Sequence, residues 1–417
     1  MIARQLEQWL HQVSEKPQII HISGLRQTGK TTLMELFLKK YPHAVYYPLY
    51  DLVQLRKYDR HPEQWVLEIE EKLKKSSLPL PVFIDEIQKI PDLFQALQGL
   101  YQSHKGKIKF WIWGSSARPL KRQKAETLAG RILAKTLWPL SWQEITDNES
   151  AIPFIFDSKN LQKKLNFEKP RHYSSTLSRA LTQTLLPEAY LMDTQADAME
   201  LLQSYQATYL ENEIRRENLV TDIGLFEQFL NLAAHENSQI INHNAKASVL
   251  GISPHTVKNY YGILEDTFVC RLLPTYSKSF RVQVSKSPKV YFTDTGLASF
   301  IAGYRQEEPP QSNRFGQVFE SFVLGEFFKQ IEYHSLPWKL SYFRTKTGFE
   351  VDLIVTNASE KIAIEIKTTS KINSNDCKGL RQLMEMDSSI RYGILITQQA
   401  APFEIEKNIY NFPAWNL

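Results

Sequence analysis

Along residues 1–150, short apolar runs alternate with segments in which apolar residues recur every three or four positions. The runs at 19–22, 80–84 and 108–113 are predicted to be buried strands, and 32–38 has the periodicity of a helix. Buried strands that alternate with helices are typical of a parallel sheet covered by helices on both faces. We therefore predict an α/β domain over residues 1–150.

The pattern of apolar positions changes after this segment. Residues 151–225 are predicted to be a mainly helical connector, with a loosely packed polar stretch from Lys159 to Ser178. Residues 226–277 show short helical patterns, and strands and helices return in residues 278–417. The sequence thus predicts one α/β domain followed by three further parts.

Within residues 226–277, two helices at 242–250 and 254–265 are joined by a short turn that begins at Gly251. Ser253 suits the N-cap of the second helix and Pro254 its first position. With residues 267–273 as a wing strand, we predict a winged-helix unit. Three side chains would face outward, as in a recognition helix: His255, Lys258 and Asn259. A unit that contacts DNA and a unit that only packs beside the first domain both stay open.

A phosphate-binding loop is predicted between the first strand and the helix that follows it. Two glycines separated by four residues are followed at once by Lys30 and Thr31. Backbone N–H groups at a helix N-terminus bind phosphates, and glycine permits the backbone angles that this requires. Lys30 would reach the β- and γ-phosphates of ATP, and Thr31 would coordinate Mg²⁺. The predicted nucleotide-binding residues are Gly24, Leu25, Arg26, Gln27, Thr28, Gly29, Lys30, Thr31 and Thr32.

Acidic and hydroxyl residues follow the other predicted strands. Asp85 would hold Mg²⁺ and Glu86 would polarise the attacking water. Ser115, after the strand at 108–113, would report on the γ-phosphate. Arg131 would stabilise the transferring phosphoryl group, from its own subunit or from a neighbour; a surface arginine is the alternative.

A second possible chemistry lies in two strands predicted at 349–355 and 361–367. Side chains alternate along a strand, so Glu365 and Lys367 share one face, where Asp352 would join them. Glu320, on a helix predicted at 314–330, would add a further carboxylate. Hard oxygen ligands for Mg²⁺ and a nearby lysine suit phosphodiester cleavage. A half-exposed hairpin without catalytic activity has the same pattern, so both interpretations stay open.

Four segments carry a resemblance to a known family: Gly24–Thr31, Asp85–Gln88, Leu128–Arg131 and Pro139–Glu144. Together they resemble a prokaryotic AAA-like P-loop ATPase family that carries a C-terminal domain of unknown function. The similarity continues through residues 288–297 and 350–354, and so spans most of the chain. The resemblance implies ATP binding and hydrolysis in the cytoplasm. One departure is Asn212-Glu213, where the family usually has an Arg-Asp pair.

The C-terminal residues carry a second resemblance. An acid on a helix, then Asp, then Glu-x-Lys on adjacent strands resembles the restriction-endonuclease-like fold. The resulting expectation is a P-loop NTPase parallel sheet with helices on both faces over residues 1–150. A helical connector (151–225), a winged-helix unit (226–277) and a restriction-endonuclease-like α/β domain (278–417) would follow.

Composition excludes several classes of protein. Only Cys270 and Cys377 are present, too few for a disulfide framework or a four-cysteine zinc site, so a reducing cytoplasm is expected. No apolar stretch reaches the roughly 18 residues that span a bilayer, so we expect no membrane partner. The net charge of +5 is too small to indicate nucleic acid by itself. A basic stretch containing Arg271, Lys278, Arg281, Lys286 and Lys289 is predicted to be a solvated linker or a phosphate-contacting strip.

Three functions stay open at this point: an ATPase that remodels or signals, an ATP-gated nuclease, and a nucleic-acid-binding regulator set by ATP. All three share ATP and Mg²⁺ as cofactors. They differ in whether the C-terminal half contacts DNA, and only the nuclease predicts metal-dependent strand breaks. A homo-oligomer is one further expectation, since Arg131 acting on a neighbour requires one.

Overall fold

A computed structural model describes residues 2–76, 79–116, 130–147, 150, 152–155, 173–215, 219–277, 286–304 and 312–417 of the chain. Apart from the extreme amino terminus, the chain divides into two compact units. The first comprises residues 3–139 and 266–268, and the second comprises residues 140–265 and 269–417. The predicted domain boundaries at 150, 225 and 277 stay predictions.

The first unit is built on a five-stranded sheet in which all paired strands run parallel. The strands are β1 (Ile19–Ser23), β2 (Val45–Pro48), β3 (Leu80–Asp85), β4 (Ile108–Gly114) and β5 (Ile132–Thr136). Their order across the sheet is β2-β3-β4-β1-β5. Because β4 lies between β1 and β3, the segments that follow these strands meet at one edge of the sheet.

Helices cover both faces of this sheet, as predicted. They are α1 (Leu6–Val13), α2 (Lys30–Leu38), α3 (Leu52–Arg60), α4 (Pro62–Lys75) and α5 (Asp92–Ser103). On one face, Trp65 of α4 and Phe94 of α5 belong to a buried cluster with strand residues. On the other, the ring of Phe37 in α2 lies 5.5 Å from that of Trp111, which stacks on Phe83. The predicted α/β class is confirmed.

The second unit begins with a series of helices. They are α6 (Trp142–Thr146), α7 (Ile152–Ile155), α8 (Tyr173–Thr182), α9 (Pro187–Tyr190), α10 (Gln195–Tyr209), α11 (Ile223–His235), α12 (His243–Leu250), α13 (Pro254–Asp266) and α14 (Thr295–Ile301). Between α13 and α14, strands β6 (Cys270–Leu273) and β7 (Lys289–Phe292) pair antiparallel. A helix-turn-helix is therefore followed by a two-stranded ribbon.

The C-terminal part contains a six-stranded sheet in the order β12-β13-β11-β10-β9-β8. Its elements are α15 (Asn313–Tyr333), β8 (Lys339–Arg344), β9 (Glu350–Thr356), β10 (Lys361–Ile366), α16 (Lys378–Met386), β11 (Ile390–Thr397), β12 (Phe403–Glu406) and β13 (Ile409–Pro413). Side chains of β10 alternate as expected: Ile364 shares a buried cluster with Phe319 of α15, and Ala363 shares another with Leu380 of α16. The sheet thus lies between α15 and α16.

Several predicted features lie outside the described residues. They include part of the polar connector (159–172), Leu128-Ala129 of one family segment, and Lys278 and Arg281 of the basic stretch. None of the described helices is long and apolar enough to cross a membrane.

Gly296 marks a close approach between two backbone segments of the second unit. It lies in the first turn of α14, after the N-cap residue Asp294. The Asp294 carboxylate accepts hydrogen bonds from the backbone N–H of Leu297 and of Leu185, each at 2.6 Å. A Cβ at Gly296 would lie 2.3 Å from the Gln183 carbonyl carbon. Only glycine allows this contact without moving the backbone.

We expect Gly296→Ala to lower the free energy of unfolding of this unit by about 3 kcal/mol, because the clashing atoms belong to backbone. The measurement is the thermal unfolding temperature of the full chain. The matched control is Gly325→Ala in α15, where an added Cβ meets nothing within 4 Å. A more helix-favouring residue there should leave the temperature unchanged or raise it. Equal unfolding temperatures for the two variants would contradict this interpretation of Gly296.

Candidate nucleotide and carboxylate sites

The loop between β1 and α2 depends on its two glycines. Gly29 is the N-cap of α2 and has a φ of 84°, in the left-handed region. A Cβ at Gly24 would lie 2.2 Å from the carbonyl oxygen of Leu137. Thr28 closes the loop from within, donating its hydroxyl to the Leu25 carbonyl oxygen at 2.9 Å. Backbone geometry therefore demands glycine at both positions of the predicted motif.

The Lys30 side chain is folded onto this loop. Its Nζ donates to the carbonyl oxygens of Gly24 at 2.9 Å and Leu25 at 2.7 Å, and Lys30 is only 7% exposed. From the segment before α1, the guanidinium of Arg4 donates to the carbonyl oxygens of Thr28 at 2.5 Å and Trp138 at 2.6 Å. Two buried cations thus hold the loop in shape, and one of them is the predicted phosphate ligand.

Thr31 and Asp85 meet at the end of β3, where the Thr31 hydroxyl lies 3.3 Å from the Asp85 carboxylate. Burial and the neighbouring Glu86 raise the pKa of Asp85 to about 6, although Lys30 acts in the opposite direction. A divalent cation beside this carboxylate would favour its ionised form. A hydroxyl next to a buried carboxylate is a donor set that fits Mg²⁺.

Glu86 is held by two side chains that lie next to the end of β4. Ser115 donates its hydroxyl to Glu86 Oε2 at 3.0 Å. The Gln88 amide donates to the same oxygen and to Ser115 Oγ, the latter at 3.1 Å. Glu86 has a φ of 60°, which is strained for a side-chain-bearing residue. Both the backbone and the carboxylate of Glu86 are therefore held in one position.

Arg131 lies at the other end of the sheet. It precedes β5, which runs parallel to β1, and its carbonyl oxygen accepts a hydrogen bond from the N–H of Ile19, where β1 begins. The phosphate-binding loop follows the end of β1, about 16 Å away for five strand residues. The expectation that Arg131 acts within its own subunit is therefore wrong. Action on a neighbouring subunit stays a prediction.

Sequence reasoning missed two residues of this site. Arg4 lies far from the motifs, and no local signal indicated it. Gln88 lies in the Asp85–Gln88 segment, but its role depends on β4: a Cβ on Gly114 would lie 2.4 Å from Gln88 Oε1. The small residue at the end of β4 is the signal that could have indicated a side chain packed across it.

The four predicted carboxylate-site residues also come together, in the second unit. Asp352 on β9 accepts a hydrogen bond from the backbone N–H of Ile366 at 2.8 Å, and Lys367 donates to Glu365 Oε1 at 2.7 Å. Burial and the charge of Asp352 raise the pKa of both Glu320 and Glu365. Asp352 therefore lies close enough to repel each of the other two carboxylates.

Two residues of β7 complete this cluster, and neither was predicted to belong to it. The Tyr291 hydroxyl donates to Glu320 Oε1 at 2.5 Å. The Lys289 ammonium lies 3.0 Å from Glu320 and 2.6 Å from Glu350. Lys289 is 4% exposed, so its prediction as part of a solvated linker or phosphate-contacting strip is wrong. Among the described residues, no group of three or more His, Cys, Asp or Glu is placed to hold a metal ion.

The helix-turn-helix has the predicted local geometry. Ser253 Oγ accepts from the N–H of Thr256 at 3.0 Å, which confirms the N-cap. Gly251 ends α12 with a φ of 67°. The three predicted outward-facing side chains are exposed: His255, Lys258 and Asn259. Contact of this surface with DNA stays a prediction.

The parallel sheet and its phosphate-binding loop have the fold of AAA-like P-loop ATPases, and C-terminal domains of unknown function follow. Residues 16–146 match the family model described as an AAA domain. Residues 174–308 and 315–417 match two domains of unknown function, DUF8612 and DUF4143. The first match covers the sheet and loop described above.

Similar proteins occur in distant prokaryotes. An uncharacterized protein of Mycobacterium bovis is 26% identical over 87% of this chain and 73% of its own length. An uncharacterized protein of Haemophilus influenzae is 21% identical over 91% of this chain and 89% of its own. Among solved structures, a Walker-type ATPase of Pyrococcus abyssi aligns with a TM-score of 0.44 at 13% identity, covering 71% of this chain and 94% of that one.

Proposed function

We propose that the chain binds ATP with Mg²⁺ and hydrolyses it at the edge of the first sheet. The observation that carries this proposal is the convergence there of the Gly24–Thr31 loop, Lys30, and the Asp85-Glu86 pair. The loop amides and Lys30 bind the phosphates, and Thr31 and Asp85 would hold Mg²⁺. The metal supplies charge neutralisation on the phosphate oxygens when bound.

Glu86 is the residue that orients and polarises the attacking water in this proposal. Ser115 and Gln88 position its carboxylate, because both donate to the same Glu86 oxygen. Ser115 reports on the γ-phosphate by exchanging this hydrogen bond for one to the phosphate. An arginine from a neighbouring subunit, Arg131, would stabilise the transferring phosphoryl group, which requires a homo-oligomer.

We expect purified full-length chain to release phosphate from ATP in the presence of Mg²⁺ and to lose this activity when EDTA removes the metal. Restoring excess Mg²⁺ should restore the rate. The measurement is steady-state phosphate release. Turnover that is equally fast in EDTA would contradict the assignment of Thr31 and Asp85 to the metal.

A second candidate function concerns the carboxylate cluster of the C-terminal sheet. We infer metal-dependent phosphodiester cleavage of DNA there, with Glu320, Asp352 and Glu365 as metal-side acids and Lys367 beside the phosphate. Metal binding would have to draw these acids together, because the described residues do not place three of them to hold a metal ion. One observation favours it. Glu365 is only 8% exposed, and its buried Oε2 has no hydrogen-bond partner. A buried carboxylate oxygen without a partner is costly in a purely structural role.

This candidate predicts nicking of supercoiled plasmid with Mn²⁺ or Mg²⁺, with or without ATP, and loss of nicking in Lys367→Ala. The control is Lys378→Ala, which removes a lysine from the start of α16. Absence of breaks under every condition would leave an ATPase whose C-terminal domain binds rather than cuts.

A further inference from the structure

The second helix of the helix-turn-helix, α13, is packed on a rigid base. Its buried face contacts α11 through aromatic rings: the ring of Phe226 lies 5.1 Å from that of Tyr260, and the ring of Phe229 lies 4.9 Å from that of Tyr261. The N-cap hydrogen bond to Ser253 Oγ fixes the point at which α13 begins. The opposite, exposed face of α13 is therefore held in one orientation.

This unit carries no carboxylate of its own. Residues 237–264 contain no Asp or Glu, although these two residue types account for 45 of the 417 residues. The preceding acid, Glu236, is paired with Lys246, which is only 1% exposed. The next acids in the chain lie at the far end of α13, about 15 Å from its start. At that start, the positive end of the helix dipole adds to the exposed ammonium of Lys258. The surface therefore suits a phosphate-bearing partner.

The exposed face also carries side chains that can read base edges. Asn259 and His255 lie one turn apart on α13, both exposed, with Asn259 Nδ2 3.3 Å from His255 Nδ1. Burial and the nearby charge of Lys258 lower the pKa of His243 in α12, which places Lys258 beside that helix. Two polar side chains of α12 are exposed as well: Asn244 and Ser248. Both helices thus present amides and hydroxyls to solvent.

We propose that the helix-turn-helix is a binding site for duplex DNA, with α13 in the major groove and with His255, Lys258 and Asn259 facing the DNA. An α-helix with its side chains is about 10–12 Å across and the major groove of DNA is about 12 Å wide, so one helix fits. An asparagine amide pairs with adenine through two hydrogen bonds, and a lysine contacts guanine or a phosphate. The deep, narrow major groove of duplex RNA does not admit side chains in this way. This binding requires neither ATP hydrolysis nor a metal.

The test measures binding of the full-length chain to a fluorescein-labelled DNA duplex of mixed sequence, about 30 base pairs or three helical turns long, by fluorescence anisotropy. EDTA and the absence of ATP keep the measurement separate from hydrolysis and cleavage. We expect Lys258→Glu to weaken binding by about tenfold or more and to make the slope of log affinity against log salt shallower by about one. Lys105→Glu, the same change of charge at an exposed lysine of the first unit, should bind like wild type. Both variants should keep the wild-type unfolding temperature, because both lysines are exposed.

Asn259→Ala tests the reading of bases. From a pool of duplexes with randomised central base pairs, wild type should enrich A·T at one position, and this variant should lose that preference while it keeps the salt slope.

Three results would overturn the proposal. They are wild-type affinity in Lys258→Glu, an equal loss of affinity in Lys258→Glu and Lys105→Glu, and equal affinity of wild type for a duplex RNA of the same sequence. A wild type that hydrolyses ATP but does not bind the DNA duplex also overturns it, and leaves the ATPase proposal intact.

Discussion

Replacing Glu86 with glutamine is expected to lower ATP turnover by about 100-fold or more while ATP binding stays at the wild-type level. Glutamine is nearly isosteric, so it can keep a contact with Ser115, 3.0 Å from the Glu86 carboxylate. It cannot take a proton from water. The loss should therefore appear in the catalytic rate and not in the affinity.

The measurements for this variant are phosphate release at saturating ATP and the dissociation constant of a fluorescent ATP analogue. Glu35→Gln, which removes an exposed carboxylate on α2, is the matched control and should keep the wild-type rate. Hydrolysis by Glu86→Gln at the wild-type rate would remove Glu86 as the water-polarising residue.

Replacing Lys30 with alanine is expected to weaken ATP binding by about 100-fold or more, since charged hydrogen bonds to the phosphates are lost. The same change leaves the carbonyl oxygens of Gly24 and Leu25 without their shared donor, so the empty loop should also lose order. The lost phosphate contacts and the lost order of the loop both lower the affinity for ATP. We therefore expect turnover below detection at ATP concentrations that saturate the wild type.

Titration with the fluorescent ATP analogue is the measurement, and circular dichroism checks the fold. Lys39→Ala lies at the other end of the same helix, is exposed, and should bind ATP like wild type. Unchanged affinity in Lys30→Ala would refute the site assignment.

The backbone geometry of the candidate nucleotide site was largely predictable because its signals are local. A glycine pattern between a strand and a helix constrains its own backbone, and Asp85-Glu86 ends an apolar run. Gln88 was missed because its partner Ser115 is supplied by another strand, 27 residues away. Action of Arg131 within its own subunit was left open because residues 132–136 were not recognised as a strand. A strand there, parallel to β1, would have placed Arg131 at the end of the sheet away from the phosphate-binding loop.

The carboxylate cluster, too, was predictable where its signals are local and was missed where they depend on the tertiary fold. The alternation along β9 and β10 was enough to bring Asp352, Glu365 and Lys367 to one face. Lys289 ends a stretch of basic residues, from Arg271 onward, with no acid among them, which favoured a solvated position. Its partners, Glu320 and Glu350, lie 31 and 61 residues further along the chain, so only the tertiary fold reveals that Lys289 is buried. Charge pairing across such separations leaves no local pattern in a single sequence.

We infer that the loop at Gly24–Thr31 binds Mg²⁺ and nucleotide together. A crystal structure of the full chain with Mg²⁺ and a non-hydrolysable ATP analogue tests it most directly. We predict phosphates on the loop amides, the metal next to Thr31 and Asp85, and Lys30 Nζ moved from the Gly24 and Leu25 carbonyl oxygens to the phosphates. An analogue bound elsewhere, with Lys30 still on those carbonyl oxygens, would contradict the account.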